Sequence, residues 1–340
     1  MNCYERLVSV LRLEKTDRVP AASPLQTGTI ALMEATGAYW PDALYDPEKM
    51  ARLAAGAYEI AGIESVRVPF CVTTEAEAMG SKIGKAKKDR QPMVLIDEPA
   101  IKTPEDVDKL EVPDPKKAAR MPVALKASEI LVKTYKGRVP VIYGICAPWF
   151  VAYQLRGLEK ILLDLVYTPD LPLKILDKTL KADEEYVKAI LDLGVDVITL
   201  IDAGGSGDIL GLEGYMKHVY PYEKKLAELI RSFGAYSILH ICSDTSLTLD
   251  KMADTGVNGI SVDQCMDLSW CRGITDKRAA LVGNVSPTTT LRSGKPEDVE
   301  REAKKCIEKG TNVLAPGCGF SPLTPLDNMR ALVKAAKTYY

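Results

Sequence analysis

Histidine is almost missing from this chain: 340 residues contain two, against eight cysteines. Phenylalanine and tryptophan are also sparse, at four and three. No apolar run reaches the length of about 18 residues that a membrane-spanning helix needs. The first residues, MNCYERLVSVLRLEKTDRVP, spread their charges through a helical apolar pattern. They lack the basic end, apolar middle and cleavage site of a secretion signal. A net charge of -2, from 44 basic and 46 acidic residues, supplies no bulk field for nucleic acid or an anionic membrane. The expectation is a cytoplasmic protein with neither as a partner. The cysteines (3, 71, 146, 242, 265, 271, 306 and 318) are irregularly placed and include no C-x-x-C pair. A disulfide framework is therefore not expected, most of the thiols read as small buried hydrophobes, and metal or thiol chemistry is open.

What is present is the material for one large core. With 46% hydrophobic and 26% charged residues and no repeat, linker or low-complexity tract, residues 1–340 read as a single domain. Short apolar, β-branched runs alternate with longer amphipathic ones. The strand candidates are RVPAAS (18–23), SVRVPFC (65–71), PVIYGIC (140–146), DVITLID (196–202), YSILHIC (236–242), VNGISVD (257–263), AALVGNV (279–285) and TNVLAPG (311–317). Helical segments between the later runs are well punctuated. Glu297 to Lys309 follows Lys295-Pro296 and stops at Gly310, and the segment 169–193 stops at Gly194. Thr324-Pro325-Leu326-Asp327 offers a capping hydroxyl, a proline at the first helical position and a carboxylate at the third. Eight alternations predict an α/β fold, a (β/α)8 TIM barrel with extra N-terminal and capping helices. The stretch 72–139 is too long for one crossover and is expected to hold the capping helices.

In such barrels chemistry gathers where strands end at the C-terminal face. Asp202 ends the fourth predicted strand, His240 and Cys242 the fifth, and Asp263 the sixth; Asn284 nearly ends the seventh, and Cys318 lies just past the eighth. Alternation sends Leu239 and Ile241 one way and His240 and Cys242 the other, toward the lumen. Imidazole and thiolate suit zinc, and Cys318 would complete a three-ligand set with an open fourth position. The competing reading makes His240 and Cys242 interior filler, and Asp202 and Asp263 caps for neighbouring helices. Asn284 has the alternative of supporting a turn. His218, on a polar helical segment, reads as surface or packing. DAGGSGD (202–208) is glycine-rich but lacks phosphate-loop spacing, and Cys265 and Cys271 stand outside the site.

The order H-x-C, an acid about twenty residues later, then a cysteine in G-C-G resembles the zinc site of the uroporphyrinogen decarboxylase/methyltransferase superfamily. It is also similar to that of the related cobalamin-independent methionine synthases. The segments QTGTIALMEATG (26–37), RQPMV (90–94), LHIC (239–242), LVGNVSP (281–287) and VLAPGCGFSPLTPLDNMRALV (313–333) resemble the methylcobamide:coenzyme M methyltransferases over nearly the whole chain. That resemblance implies a Zn2+ ion on His240, Cys242 and Cys318, and catalytic roles for Asp263, at the family's acidic position, and Asp202. It further implies cofactor contacts from Gln26 and Asn284. The implied reaction moves a methyl group from a methylated corrinoid to coenzyme M or a similar thiol, in methanogenesis from methylated compounds. No D-x-H-x-x-G corrinoid-binding signature is present, so the methylcobamide is expected on a separate corrinoid protein. Arg67 is a candidate for the coenzyme M sulfonate, against a salt bridge at a strand end. Two positions depart from the family pattern: Ser243-Asp244 stands where Gly-Asn is usual, and Asp263-Gln264 where Glu-Glu is. The rivals are another thiol or a tetrahydrofolate or tetrahydromethanopterin acceptor, uroporphyrinogen decarboxylase itself, and a closed structural zinc site in a binding protein.

Overall fold

A computed structural model describes residues 1–339. Six parallel strands, β1 (Val66–Val68), β2 (Val141–Cys146), β3 (Val197–Ile201), β4 (Tyr236–His240), β5 (Gly259–Ser261) and β6 (Ala280–Val282), pair in chain order. Helices fill the crossovers between them, for example Asp170–Leu191 between β2 and β3 and Tyr220–Ser232 between β3 and β4. Helix Asp170–Leu191 ends near Gly194, whose φ of 83° is open to glycine without steric cost.

The remaining two predicted strands close the ring by isolated bridges rather than ladders. Residues 311–317 bridge β6 through Val282 and Val313, and Ala21 bridges Leu314. On its other side the 18–23 run accepts the Glu64 N–H at Ala21 O, 2.7 Å away, beside β1. Proline explains the difference: Pro20 and Pro316 have no N–H to donate, so neither run sustains a ladder. The eight-membered barrel is therefore complete, with two thin staves.

Its interior has two kinds of filling. Toward the N-terminal end, Ile142, Val197, Ile238, Ala280 and Val313 pack with Leu7 and Leu11 of the helix Cys3–Leu11. Asn2 starts that helix through a reciprocal capping box with Glu5, at 2.8 and 2.9 Å. Full burial of Leu7 and Leu11 stabilises the plug by about 1.5–3 kcal/mol each. The other end holds the polar lumen residues. Leu239 and Ile241 belong to the outer core, while Ile238 faces inward, so His240 follows Ile238 into the lumen.

The stretch 72–139 holds helices, as expected: a short helix Thr74–Ala78, a 3-10 turn Pro104–Val107 and the crossover helix Met121–Tyr135. Between the first two runs a small hairpin marked by bridges Ile83 to Val94 and Lys87 to Arg90. The last helix, Leu326–Thr338, starts one residue later than the proline rule suggested. Pro325 stays extended at ψ 146°, and the buried Thr324 hydroxyl caps nothing.

Candidate metal centre

His240 and Cys242 leave β4 on the lumen side, and the loop after residues 311–317 brings Cys318 to them. His240 Nε2 lies 3.2 Å from Cys242 Sγ, which lies 3.8 Å from Cys318 Sγ. All three donor atoms fall within 4.8 Å of one another. Such a cluster is the size of a metal ion's coordination sphere. His240 is fully buried, and its Nδ1 sits 3.1 Å from the Ser261 carbonyl oxygen on neighbouring β5. An Nδ1–H donated to that carbonyl leaves the Nε2 lone pair aimed at the two sulfurs, which is the tautomer a metal requires. The hydrogen-bonding contact between the Cys242 and Cys318 sulfurs holds Cys242 below the ordinary thiol range. The same bond, with burial, pushes Cys318 up. A cation bound by both sulfurs would displace their protons.

The cluster forms part of the wall of a cavity of about 290 Å³. Apolar walls from Leu25, Val72, Phe150, Ile201 and Phe320 limit water, while Gln26, Arg67 and Gln91 add polar groups. Gln91 comes from the small hairpin in the irregular stretch, a contribution no strand or helix pattern signals.

The other predicted site residues have different placements. Asp263 lies outside the cluster: its oxygens accept the backbone N–H groups of Ser243, at 3.2 Å, and Cys265, at 3.1 Å. Asn284 braces the same loop, donating to Asp263 O and Met266 O at 2.9 and 2.8 Å. Gln26 lines the cavity, but its amide is used by backbone, donating to Phe320 O and accepting the Gly28 N–H at 2.8 Å. Asp202 has a helix-capping contact. It is fully buried, and its Oδ1 accepts the Phe150 N–H at 2.7 Å in the first turn of helix Pro148–Arg156. That is the helix-capping alternative. His218 packs against Trp149 at 6.4 Å between ring centroids, and Cys265 is exposed. Ser261 was missed, because strand register, unlike strand location, leaves no mark in one sequence.

The Ser243 departure falls at a demanding position. Its φ is 75°, in the left-handed region where a Cβ is strained. Glycine, usual here in the resembling family, carries no such strain. Ser243→Gly is expected to stabilise the protein by about 1 kcal/mol. A higher midpoint in urea unfolding checks it, and an unchanged or lower midpoint counts against the strain.

Comparison with known proteins follows the same lines. A profile of the uroporphyrinogen decarboxylase (URO-D) family matches residues 3–339. The methylcobamide:CoM methyltransferase MtbA of Methanosarcina mazei is 38% identical over 98% of this chain and 97% of its own length. The methylcobamide:CoM methyltransferase MtaA of Methanosarcina barkeri is 36% identical over 98% and 97%. Among solved structures, a methyltransferase from Methanosarcina mazei superimposes with a TM-score of 0.93 at 35% identity, covering 99% of this chain and 98% of that one. A barrel closed by two proline-interrupted runs, a His-Cys-Cys cluster at its C-terminal face and a family match along almost the whole chain lead to one conclusion: this protein belongs to the uroporphyrinogen decarboxylase family.

Proposed function

We propose that this protein is a methyltransferase that moves a methyl group from a methylated corrinoid to the thiol of coenzyme M, with zinc held by His240 Nε2, Cys242 Sγ and Cys318 Sγ. The observation that carries the reading is the convergence of these three donors in the wall of a small, largely apolar cavity. Near-full-length relatives named methylcobamide:CoM methyltransferases support the donor and acceptor.

The donor set fits zinc in type and number: one imidazole and two sulfurs, with an open position. Bound there, zinc would supply the Lewis acidity that keeps an acceptor thiol ionised at neutral pH. The chain's own contribution is positional. Ser261 O orients the His240 ring, and with an ion bound the two cysteine sulfurs would offset its charge and preserve the acceptor sulfur's nucleophilicity. Phe150, Ile201 and Phe320 keep the attack site dry. The thiol proton goes to solvent. The sulfur lone pair forms the S–C bond while the Co–C electron pair stays with the departing corrinoid, taking cobalt from Co(III) to Co(I).

The methylcobamide is proposed to arrive on a corrinoid protein. Among the described residues no helix is long and apolar enough to cross a membrane.

The test follows loss of the methylcobalamin spectrum with coenzyme M, homocysteine or tetrahydrofolate, with and without zinc. Zinc-dependent loss with coenzyme M is expected. Loss with tetrahydrofolate alone, independent of zinc, would overturn the reading.

A further inference from the structure

We propose that Arg67 is the anion-binding residue of the cavity, holding the charged end of a small anionic thiol whose sulfur is taken at the His240, Cys242 and Cys318 cluster. The proposal rests on the methyl-transfer reading above and specifies the acceptor's other end.

Geometry carries it first. Arg67 is the middle residue of β1, between Val66 and Val68 of the outer core, so its side chain enters the lumen. There it lies across the bare backbone of Gly144 on β2, where a Cβ would sit 1.8 Å from Nη2. Gly144 is therefore the gap through which the guanidinium reaches the cavity that the metal cluster shares. Side chain and gap are matched.

Charge carries it further. Arg67 is 1% exposed; its Nη1 donates to Pro69 O, and its Nε has no partner. The expected salt bridge at the strand end is not made: among the described residues no carboxylate pairs with this guanidinium within 4.0 Å. Burial lowers its pKa to about 10, so it stays cationic at neutral pH. Glu75 acts on it from a distance, but burial raises that carboxyl to about 7, and its Oε1 already accepts the Cys146 N–H at 2.9 Å. No carboxylate is among the described residues that line the cavity. A buried cation without an anion is unfavourable, and a ligand bringing a sulfonate or carboxylate relieves it with charge-assisted hydrogen bonds. A neutral thiol gains nothing from Arg67, and a cationic one is repelled.

The test uses zinc-loaded enzyme and methylcobalamin with four thiols: 2-mercaptoethanesulfonate, 3-mercaptopropionate, 2-mercaptoethanol and cysteamine. Wild type is expected to favour 2-mercaptoethanesulfonate over 2-mercaptoethanol by about 100-fold in kcat/KM, the scale of one buried charge pair. The carboxylate thiol reports whether any anion suffices. In Arg67→Met the preference should collapse to within a few-fold, because the loss on the anionic thiols exceeds any loss on 2-mercaptoethanol. Ethanesulfonate, which has no thiol, should raise the Tm of wild type and leave that of Arg67→Met unchanged. A folded Arg67→Met protein that keeps the preference overturns the proposal. Should that variant not fold, wild type decides alone: equal use of the sulfonate and neutral thiols, with no Tm shift by ethanesulfonate, overturns it. If no thiol demethylates methylcobalamin, the methyl-transfer reading fails, and the ethanesulfonate shift still decides whether Arg67 binds an anion.

Discussion

Cys318→Ala is expected to lose zinc and methyl transfer together. Cys318 reaches the cluster from a different part of the barrel than His240 and Cys242, so its sulfur is what turns a strand-end pair into a three-donor site. Removing it leaves two donors, too few to hold zinc against exchange with buffer. Loss of a residue that merely supports a ligand costs about 10–100-fold in metal affinity or activity, and loss of the ligand itself should exceed that range. The fold should survive, because Cys318 is only partly buried, on a loop beside the cavity. Metal content after gel filtration, far-UV circular dichroism and methylcobalamin turnover together check this. Cys265→Ala is the control: exposed and outside the cluster, it should leave zinc content and turnover unchanged. Full activity in Cys318→Ala would remove the basis for the metal site.

A second large effect is expected in the dependence of stability on pH, and it comes from two carboxyl groups beside the site. Asp202 and Glu223 are both fully buried. Each has one oxygen with no hydrogen-bond partner, Asp202 Oδ2 and Glu223 Oε1, and each carboxyl acts on the other's titration. Tyr215 donates to the remaining oxygen of Glu223 at 2.6 Å. Two buried carboxyls that act on one another disfavour ionisation of both. Burial raises Asp202 well above the ordinary carboxylate range, and raises Glu223 to about 8. With folded values above unfolded ones, the folded state binds the proton more tightly. The stabilisation is therefore fully present below the unfolded value of 4.5 and is lost as pH rises toward about 8. Each tenfold difference in proton affinity between the folded and unfolded chain is worth about 1.4 kcal/mol, so a loss of about 2–4 kcal/mol across that range is expected from the pair. Glu223→Gln keeps a neutral acceptor for Tyr215 and removes one of the titrating carboxyls. Urea midpoints from pH 5 to 8.5 should fall more steeply for wild type than for this variant. Parallel curves would show that the pair does not disfavour ionisation.

Periodicity was enough to locate most of the barrel. The VIYGIC and VITLI runs are buried throughout, and they are β2 and β3. Proline carried the harder information. Pro20 and Pro316 sit inside runs whose composition reads as strand, and each turns a stave into single bridges. The lumen direction of His240 followed from alternation with Leu239 and Ile241. Asp202 stands out as a candidate site residue because it ends a strand, and the helix that follows β2 places its first-turn N–H groups over that same strand end. Only three-dimensional placement shows that capping contact. The Asp202–Glu223 pair was equally invisible, since it joins segments with no shared period, and Gln91 lay in a segment marked only by likeness to relatives. Ser243 was flagged as a departure by likeness to relatives, and its positive φ supplies the physical reason that position favours glycine.

The most direct measurement is zinc X-ray absorption of the zinc-loaded protein before and after coenzyme M. With His240, Cys242 and Cys318 as ligands and an open fourth position, the zinc should have two sulfur neighbours before the thiol is added and three after. Two sulfurs unchanged by coenzyme M, at concentrations that support turnover, would contradict a site in which the acceptor thiol joins these three residues.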